Sequence, residues 1–214
     1  MNVAAVILAA GEGRRMTVPK QLLPWGDSTF LGHAVLAARG SACSKIMVVV
    51  GAHQDLVERE VRDRRIEVVP NPDWMQGLGS SVRAAARAMA RSEAPVDAAV
   101  FLPVDQPLMD SSLIDRLIDV HRRSRKPIVA SRIEGRLGVP ALFGAAMFPE
   151  LARLKGDSAA HAFICRRINR VRALPFPEGA FDINTPEDYL RWRAQRSRLL
   201  NRAPLSRLFG QSAS

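Results

Sequence analysis

VAAVILAAGEGRRMTVPK, residues 3–20, opens with a six-residue apolar run, Val3 to Leu8, that carries no charge. Such a run, closed by Gly11, predicts a strand buried on both faces, as in parallel sheets. Gly11 and Gly13 follow, then Arg14, Arg15 and Lys20. Glycine lets backbone N–H groups turn toward an anion, and Arg and Lys add the opposite charge and a donor geometry that phosphate oxygens accept. The stretch therefore predicts a phosphate-handling loop at the end of a parallel strand. Two common phosphate motifs are excluded, because G-x-G-x-x-G needs glycine where Met16 stands and G-x-x-x-x-G-K-[ST] is absent. On these residues alone an ordinary strand-to-helix turn with solvated cations stays open.

Outward from this loop, the pattern alternates strand and helix. A helix over 29–39 with Ser28 as its cap, a buried strand Lys45 to Val50, a charged helix from His53 to Arg64 and a strand Ile66 to Val69 are expected in turn. A helix beginning at Ser80 or Ser81 leads to a fourth strand, Ala98 to Val104. Then come a helix from Ser111 or Ser112 to Ser124, a strand Pro127 to Ala130, a loop 132–138 and a strand Val139 to Phe143. Short connections between alternating β and α elements predict an α/β fold with a doubly wound, mostly parallel sheet in a single domain.

Composition bounds the function. The chain has 214 residues, 47% of them hydrophobic, enough for one sizeable core. No run approaches the roughly 18 apolar residues of a membrane span, and the N-terminus enters a strand directly, without a signal-peptide pattern. Cys43 and Cys165 are far apart and have no Cys or His at ligand spacing, so both are expected to be buried thiols in a reducing, cytoplasmic setting. Of the net charge of +10, six Arg and no acid in residues 191–214 supply +6, which leaves +4 for the body. That balance suits small polyanionic ligands. With one Tyr in the chain there are few aromatic platforms for nucleic acid, and no nucleic-acid or membrane partner is expected. Residues 1–192 form the expected domain, and 193–214 a basic, flexible tail.

Three further places carry chemistry. Gly79, Ser80 and Ser81 offer amides and hydroxyls at a helix start, suited to a nucleobase edge or to simple capping. Asp105 closes a central strand, where ligands bind in open α/β sheets; a hard carboxylate there suits magnesium, although Asp before Pro107 also suits a turn. Asp182 precedes a helix begun by Thr185-Pro186, and that start does not account for it.

These strings together resemble one family. LAAGEGRRM with Pro19-Lys20 and Leu22-Leu23-Pro24, then N-P-x-W-x-x-G-x-x-S-S from Asn71, L-x-V-D-Q-P around Asp105, the Gly135–Phe143 segment and FDINTPED from Phe181 resemble the nucleotidyltransferases that bind an NTP and release pyrophosphate. Within that superfamily they are most similar to the molybdenum cofactor cytidylyltransferases. The resemblance implies a Rossmann-like fold of the nucleotide-diphospho-sugar transferase type. It implies nucleotide binding by Leu8, Ala9, Ala10, Gly11, Glu12, Gly13, Arg14, Arg15, Lys20, Gly79, Ser80 and Ser81, catalysis by Lys20, Arg15 and Asp105, and Mg²⁺ on Asp105 and Asp182. The implied partners are CTP or another NTP, a phosphorylated pterin acceptor, and a molybdoenzyme or its chaperone. The same chemistry with GTP or a sugar or polyol phosphate, or a non-catalytic nucleotide- or cofactor-binding module, stands as the alternative. Four residues depart from the pattern: Thr17, where Gly is common; Val139, where His is expected; His161, where Arg is usual; and Asn184, in place of a second Asp.

Overall fold

In the computed structural model, which describes residues 1–16, 18–155 and 159–202, the opening apolar run is β1 (Val3–Leu8), buried throughout. It is followed by β2 (Pro24–Trp25), β3 (Ser28–Thr29), α1 (Phe30–Arg39), β4 (Lys45–Val50), α2 (Gln54–Glu60), β5 (Ile66–Pro70), α3 (Leu78–Ala90) and β6 (Ala98–Pro103). The second half adds α4 (Ser111–Ser124), β7 (Ile128–Ile133), β8 (Arg136–Gly144), α5 (Phe148–Leu151), α6 (Ala159–Cys165), β9 (Val171–Pro175) and α7 (Pro186–Arg202).

The main sheet runs β5-β4-β1-β6-β8-β7-β9, with β8 antiparallel to both of its neighbours and the other pairs parallel. The fold is the doubly wound α/β arrangement that the alternating pattern predicts. Side chains alternate along β1. Val3, Ala5 and Ile7 join the core under α1 and α4, and Ala4, Val6 and Leu8 join the one under α3 and α6. Burial on both faces is why the run carries no polar residue. The chain order reverses at β1, which sits between β4 and β6, and ligands bind at such a switch point beyond the carboxyl ends of the strands.

Several boundaries move. The cap of α1 is Thr29 rather than Ser28, because the helix starts at Phe30 and it is the Thr29 hydroxyl that accepts from the Gly32 N–H, at 3.0 Å. α2 stops at Glu60, since Val61 leaves helical geometry. α3 starts at Leu78 rather than at the serines, from Gly77 at φ +88°, which L side chains rarely adopt. The expected loop 132–138 is a tight hairpin: Glu134 and Gly135, at φ +47° and +81°, make the two-residue turn whose twist matches the flanking strands. Cys43 is half-buried, with its thiol pushed up to about 11 by burial, whereas Cys165 is exposed rather than buried because it faces outward at the end of α6. Among the described residues no helix is long and apolar enough to cross a membrane.

The boundary expected at residue 192 falls inside α7, which continues to Arg202; residues 203–214 of the expected tail, Thr17, and Gly156 and Asp157 of the Leu-x-Gly-Asp segment lie outside the described residues. A small third core of Leu23, Phe30, Ile183 and Trp192 fastens α7 to the β2–β3 ribbon. Beyond Trp192, the Arg196 guanidinium lies 4.7 Å from the Trp25 ring centre and 5.7 Å from that of Trp192, against Gly26, whose missing Cβ makes room for it. Ending the chain after Trp192 should therefore lower the melting temperature by roughly 3–5 °C. A thermal melt checks this, and an unchanged midpoint would show that the last turns of α7 are an ornament.

Candidate active site

A cleft of about 420 Å³ opens beyond the ends of β1 and β6. Its floor is the glycine loop, from Ala10 to Arg14. One wall is Trp74 to Leu78 with Ser81, and the other is Pro103, Val104 and Asp105. The loop keeps its shape for local reasons. Gly13 sits at φ +68°, a conformation that strains other residues, and its Cβ would press on the Lys20 Cγ at 3.3 Å. Gln21, almost wholly buried, donates from Nε2 to the carbonyls of Ala9 (2.7 Å) and Gly11 (2.8 Å). These two bonds fix the course of the loop along the floor of the cleft.

Lys20 arrives on a single turn, Lys20–Leu22, at the rim. Its Nζ donates to Asp105 Oδ2 at 2.8 Å and to Asn184 Oδ1 at 3.1 Å. Asn184 Oδ1 also accepts from Arg15 Nη2 at 3.0 Å, while Asn184 Nδ2 donates to Asp182 Oδ2 at 2.7 Å. The 182–184 segment reaches this place because the Ile183 N–H bonds the Asp105 carbonyl at 2.9 Å and Ile183 is buried in the small core. It is held there by the start of α7. The N–H groups of Asn184 and Thr185 donate to Asp188 Oδ2 at 3.0 and 2.8 Å, and the Asp188 N–H donates to Thr185 Oγ1 at 3.2 Å. The Asn184 N–H, and after it the Thr185 hydroxyl, hold the Asp188 carboxyl down at about 2.

Asp182 behaves in the opposite way. Burial, and then the charge of Asp105, push its carboxyl up to about 6, against the pull of Asn184 and Lys20. The two carboxylates repel each other, and a cation beside them, as the Lys20 ammonium already is, offsets that repulsion. Among the described residues no three His, Cys, Asp or Glu cluster as metal ligands. Two carboxylate groups beside a glycine loop nevertheless fit a hard divalent cation whose other ligands would be substrate phosphates and water.

Leu8, Ala10, Gly11, Glu12, Gly13, Arg14, Lys20, Ser81 and Asp105 all line the cleft. Arg15 stands beside it on Asn184, Asp182 closes the carboxylate pair, and Arg14 is paired with Glu12 at 2.7 Å. Ala9, Gly79 and Ser80 do not line it. Ala9 belongs to the core, and Ser80 is fully buried, accepting from Asn71 Nδ2 at 2.8 Å and donating to the Gly77 carbonyl at 2.8 Å. The same Asn71 amide donates to Ser81 Oγ at 3.1 Å. Asn71 and Trp74 belong to the N-P-x-W-x-x-G-x-x-S-S string, but no role is expected for them individually, and Gln21, Met75 and Gln76 are not expected from sequence at all. For Gln21 the available signal is a side-chain amide leading into an apolar run, Gln21-Leu22-Leu23-Pro24.

On the far side of Asp105, Gln106 Nε2 donates to the Val139 carbonyl at 3.4 Å, which links this strand end to β8. His161 sits with Nδ1 2.6 Å from the Leu137 carbonyl.

The model of the MobA-like NTP transferase domain matches residues 5–171. The chain belongs to the MobA-like NTP transferase family. It is a nucleotidyltransferase of that family with its Rossmann-like fold. A structure of Rv0371c from Mycobacterium tuberculosis H37Rv, described as a complex with manganese, is 29% identical, covers 89% of this chain and 96% of its own, and gives a TM-score of 0.73. The nicotine blue oxidoreductase of Paenarthrobacter nicotinovorans is 31% identical over 169 residues, 76% of this MobA-like chain and 81% of the relative. The molybdenum cofactor cytidylyltransferase of Escherichia coli K12 is 38% identical over 88 residues, 41% of this chain and 45% of the relative. Matches to GlmU proteins span only about a quarter of those proteins' length.

Proposed function

We propose that this MobA-like chain transfers CMP from CTP to a phosphorylated pterin, the molybdenum cofactor, with release of pyrophosphate and with Mg²⁺ held by Asp105 and Asp182. The observation that carries this is one network from three distant parts of the chain: Lys20 pairs with Asp105 in the glycine-loop cleft, and Asn184 joins Lys20 to Asp182. A group that transfers a nucleotidyl unit needs positioning and charge stabilisation rather than covalent catalysis.

The loop amides of residues 10–13 and Arg15 would hold the β- and γ-phosphates, and Lys20 would meet the charge growing on the α-phosphoryl oxygens. An acceptor phosphate oxygen forms the new bond to the α-phosphorus as the bond to the β-phosphate oxygen breaks. That nucleophile is already ionised near neutrality, so no side chain has to take a proton from it. A divalent cation bound to the two carboxylates would supply charge neutralisation across the α- and β-phosphates.

The base would lie between the Ala10-Gly11 backbone and the Trp74–Ser81 wall, where backbone groups and the Ser81 hydroxyl face a ring edge. The wrong base there leaves buried polar groups unpaired, at roughly 1–3 kcal/mol each. CTP is therefore expected to bind at least about tenfold tighter than GTP, and Ser81→Ala to erode that preference more than it lowers maximal turnover. Titration calorimetry with both nucleotides checks this, and tighter GTP would change the donor.

The cytidylyltransferase relative supports the pterin acceptor, and the sequence strings on the donor side support the nucleotide, while Val139 and His161 leave the acceptor wall unlike the family pattern. The deciding experiment is a pyrophosphate-release assay with each NTP against phosphorylated pterin, sugar and polyol acceptors. Release with CTP and pterin alone is the expected result. Release with a sugar phosphate would keep the chemistry and change the acceptor, and no release with any pair would favour a binding or chaperone role.

A further inference from the structure

Lys20 serves two partners that the reaction must separate. Its ammonium donates to Asp105 Oδ2, an oxygen of the carboxylate assigned to the cation, and to Asn184 Oδ1. Asn184 is suited to this bridging place in a way that a carboxylate is not. Its oxygen faces two cations, Lys20 and Arg15, and its amide nitrogen faces the Asp182 carboxylate, so the network fixes which end is which. An acid at 184 would have no N–H for Asp182 and would set a third negative charge beside two others. The Lys20 stem is confined as well, since its Cγ lies 3.3 Å from the place a Cβ on Gly13 would take. Its side chain is only 17% exposed, against 24% for Asp105, so solvent screens the pair weakly.

We propose that Asn184 is a positioning residue that, with Asp105, parks the Lys20 ammonium against the carboxylate pair. Lys20 and a divalent cation then compete for Asp105 until a triphosphate draws Lys20 away. This rests on Asp105 being a cation ligand, as proposed above. Coupling of this kind is reciprocal: nucleotide strengthens cation binding by the factor by which the cation strengthens nucleotide binding. A site built this way takes up its cation together with the nucleotide and holds little of it beforehand.

The test is Mn²⁺ binding to the full chain, followed by electron paramagnetic resonance, first without nucleotide. Removing a competing charge in direct contact is expected to tighten binding, so Lys20→Met should raise Mn²⁺ affinity at least about tenfold. Asn184→Ala, which keeps the Lys20 charge but removes one of its two anchors, should give a smaller rise. Arg15→Met, which removes a charge that touches Asn184 and not Asp105, should change it less than Lys20→Met does. With CTP present, wild-type affinity for Mn²⁺ should rise, after correction for Mn²⁺ held by free CTP, and Lys20→Met should lose most of that gain. Lys20→Met within twofold of wild type, or matched by Arg15→Met, overturns the parking role. Asp105→Ala separates the two levels. If it binds Mn²⁺ like wild type, the assignment of Asp105 as ligand fails. If it loses Mn²⁺ while Lys20→Met gains nothing, only the parking role fails.

Discussion

Asp105→Ala should leave a folded protein whose turnover falls by roughly a thousandfold or more, the consequence of losing about 4 kcal/mol of transition-state stabilisation. The side chain stands at the cleft rather than in either large core, so the melting temperature should move by no more than a few degrees. The substitution removes one of two carboxylates that the fold has gone to some trouble to bring together. The Asp105 carbonyl holds the Ile183 N–H, while its side chain meets Lys20. The backbone half of that arrangement survives in the variant, which is why the fold should. Pyrophosphate release at saturating Mg²⁺, paired with a thermal melt, checks the outcome. A near-normal rate in a folded variant would remove Asp105 from the chemistry.

Gly51→Ala should damage both the fold and the cleft. Gly51 follows β4 and lies between the glycine loop and Trp74. A Cβ there would stand 2.6 Å from the Trp74 Cβ and 2.9 Å from both the Cβ and the carbonyl oxygen of Ala10. Neither neighbour is a flexible side-chain end that swings aside. Ala10 is also pinned by the Ala52 N–H at 3.0 Å, so the loop itself has to move. Overpacking of this kind costs roughly 1–3 kcal/mol, or about 3–10 °C in midpoint for a chain of this size. Because Ala10 and Trp74 form facing parts of the cleft, nucleotide affinity should fall at least about tenfold as well. A melt and a calorimetric titration read the two effects. By contrast Gly11, the more conspicuous glycine of the loop, has open space where its Cβ would be.

That contrast shows what was legible in the sequence. Strands buried on both faces announce themselves by an unbroken apolar run, and Val3–Leu8 and Lys45–Val50 have the bounds that their composition predicts. Asp105 stands out because a lone acid just past a buried central strand has few other uses, whereas Lys20 and Asp182 stand out only through the family strings around them. Packing between distant segments was not. Nothing in the order of residues tells that Gly51 touches Ala10, that Gln21 ties down the Ala9 and Gly11 carbonyls, or that Asn71 engages Ser80 and Ser81. The Glu134-Gly135 hairpin reads as a loop in the sequence because its turn is short and Arg132, Glu134 and Arg136 break the apolar pattern around it. Ser80 looked like a site residue because helix-start serines and buried capping serines share one local pattern.

The small aromatic core gives the molecule two levels of order. Lys20 leads directly into Leu23 and the β2–β3 ribbon, and Asp182 and Asn184 flank Ile183 at the start of α7; Leu23, Ile183 and Trp192 pack in one cluster with Phe30. That cluster is a handful of residues, whereas the sheet rests on two far larger ones. Regions with few buried contacts open at lower free energy than the cores beside them. As the molecule warms, α7 and the ribbon should part first, carrying the lysine and the acids away from each other while β1, β4 and β6 remain paired. Heat would then silence the site well before it melts the sheet, and cooling would restore it without the chain having to fold anew.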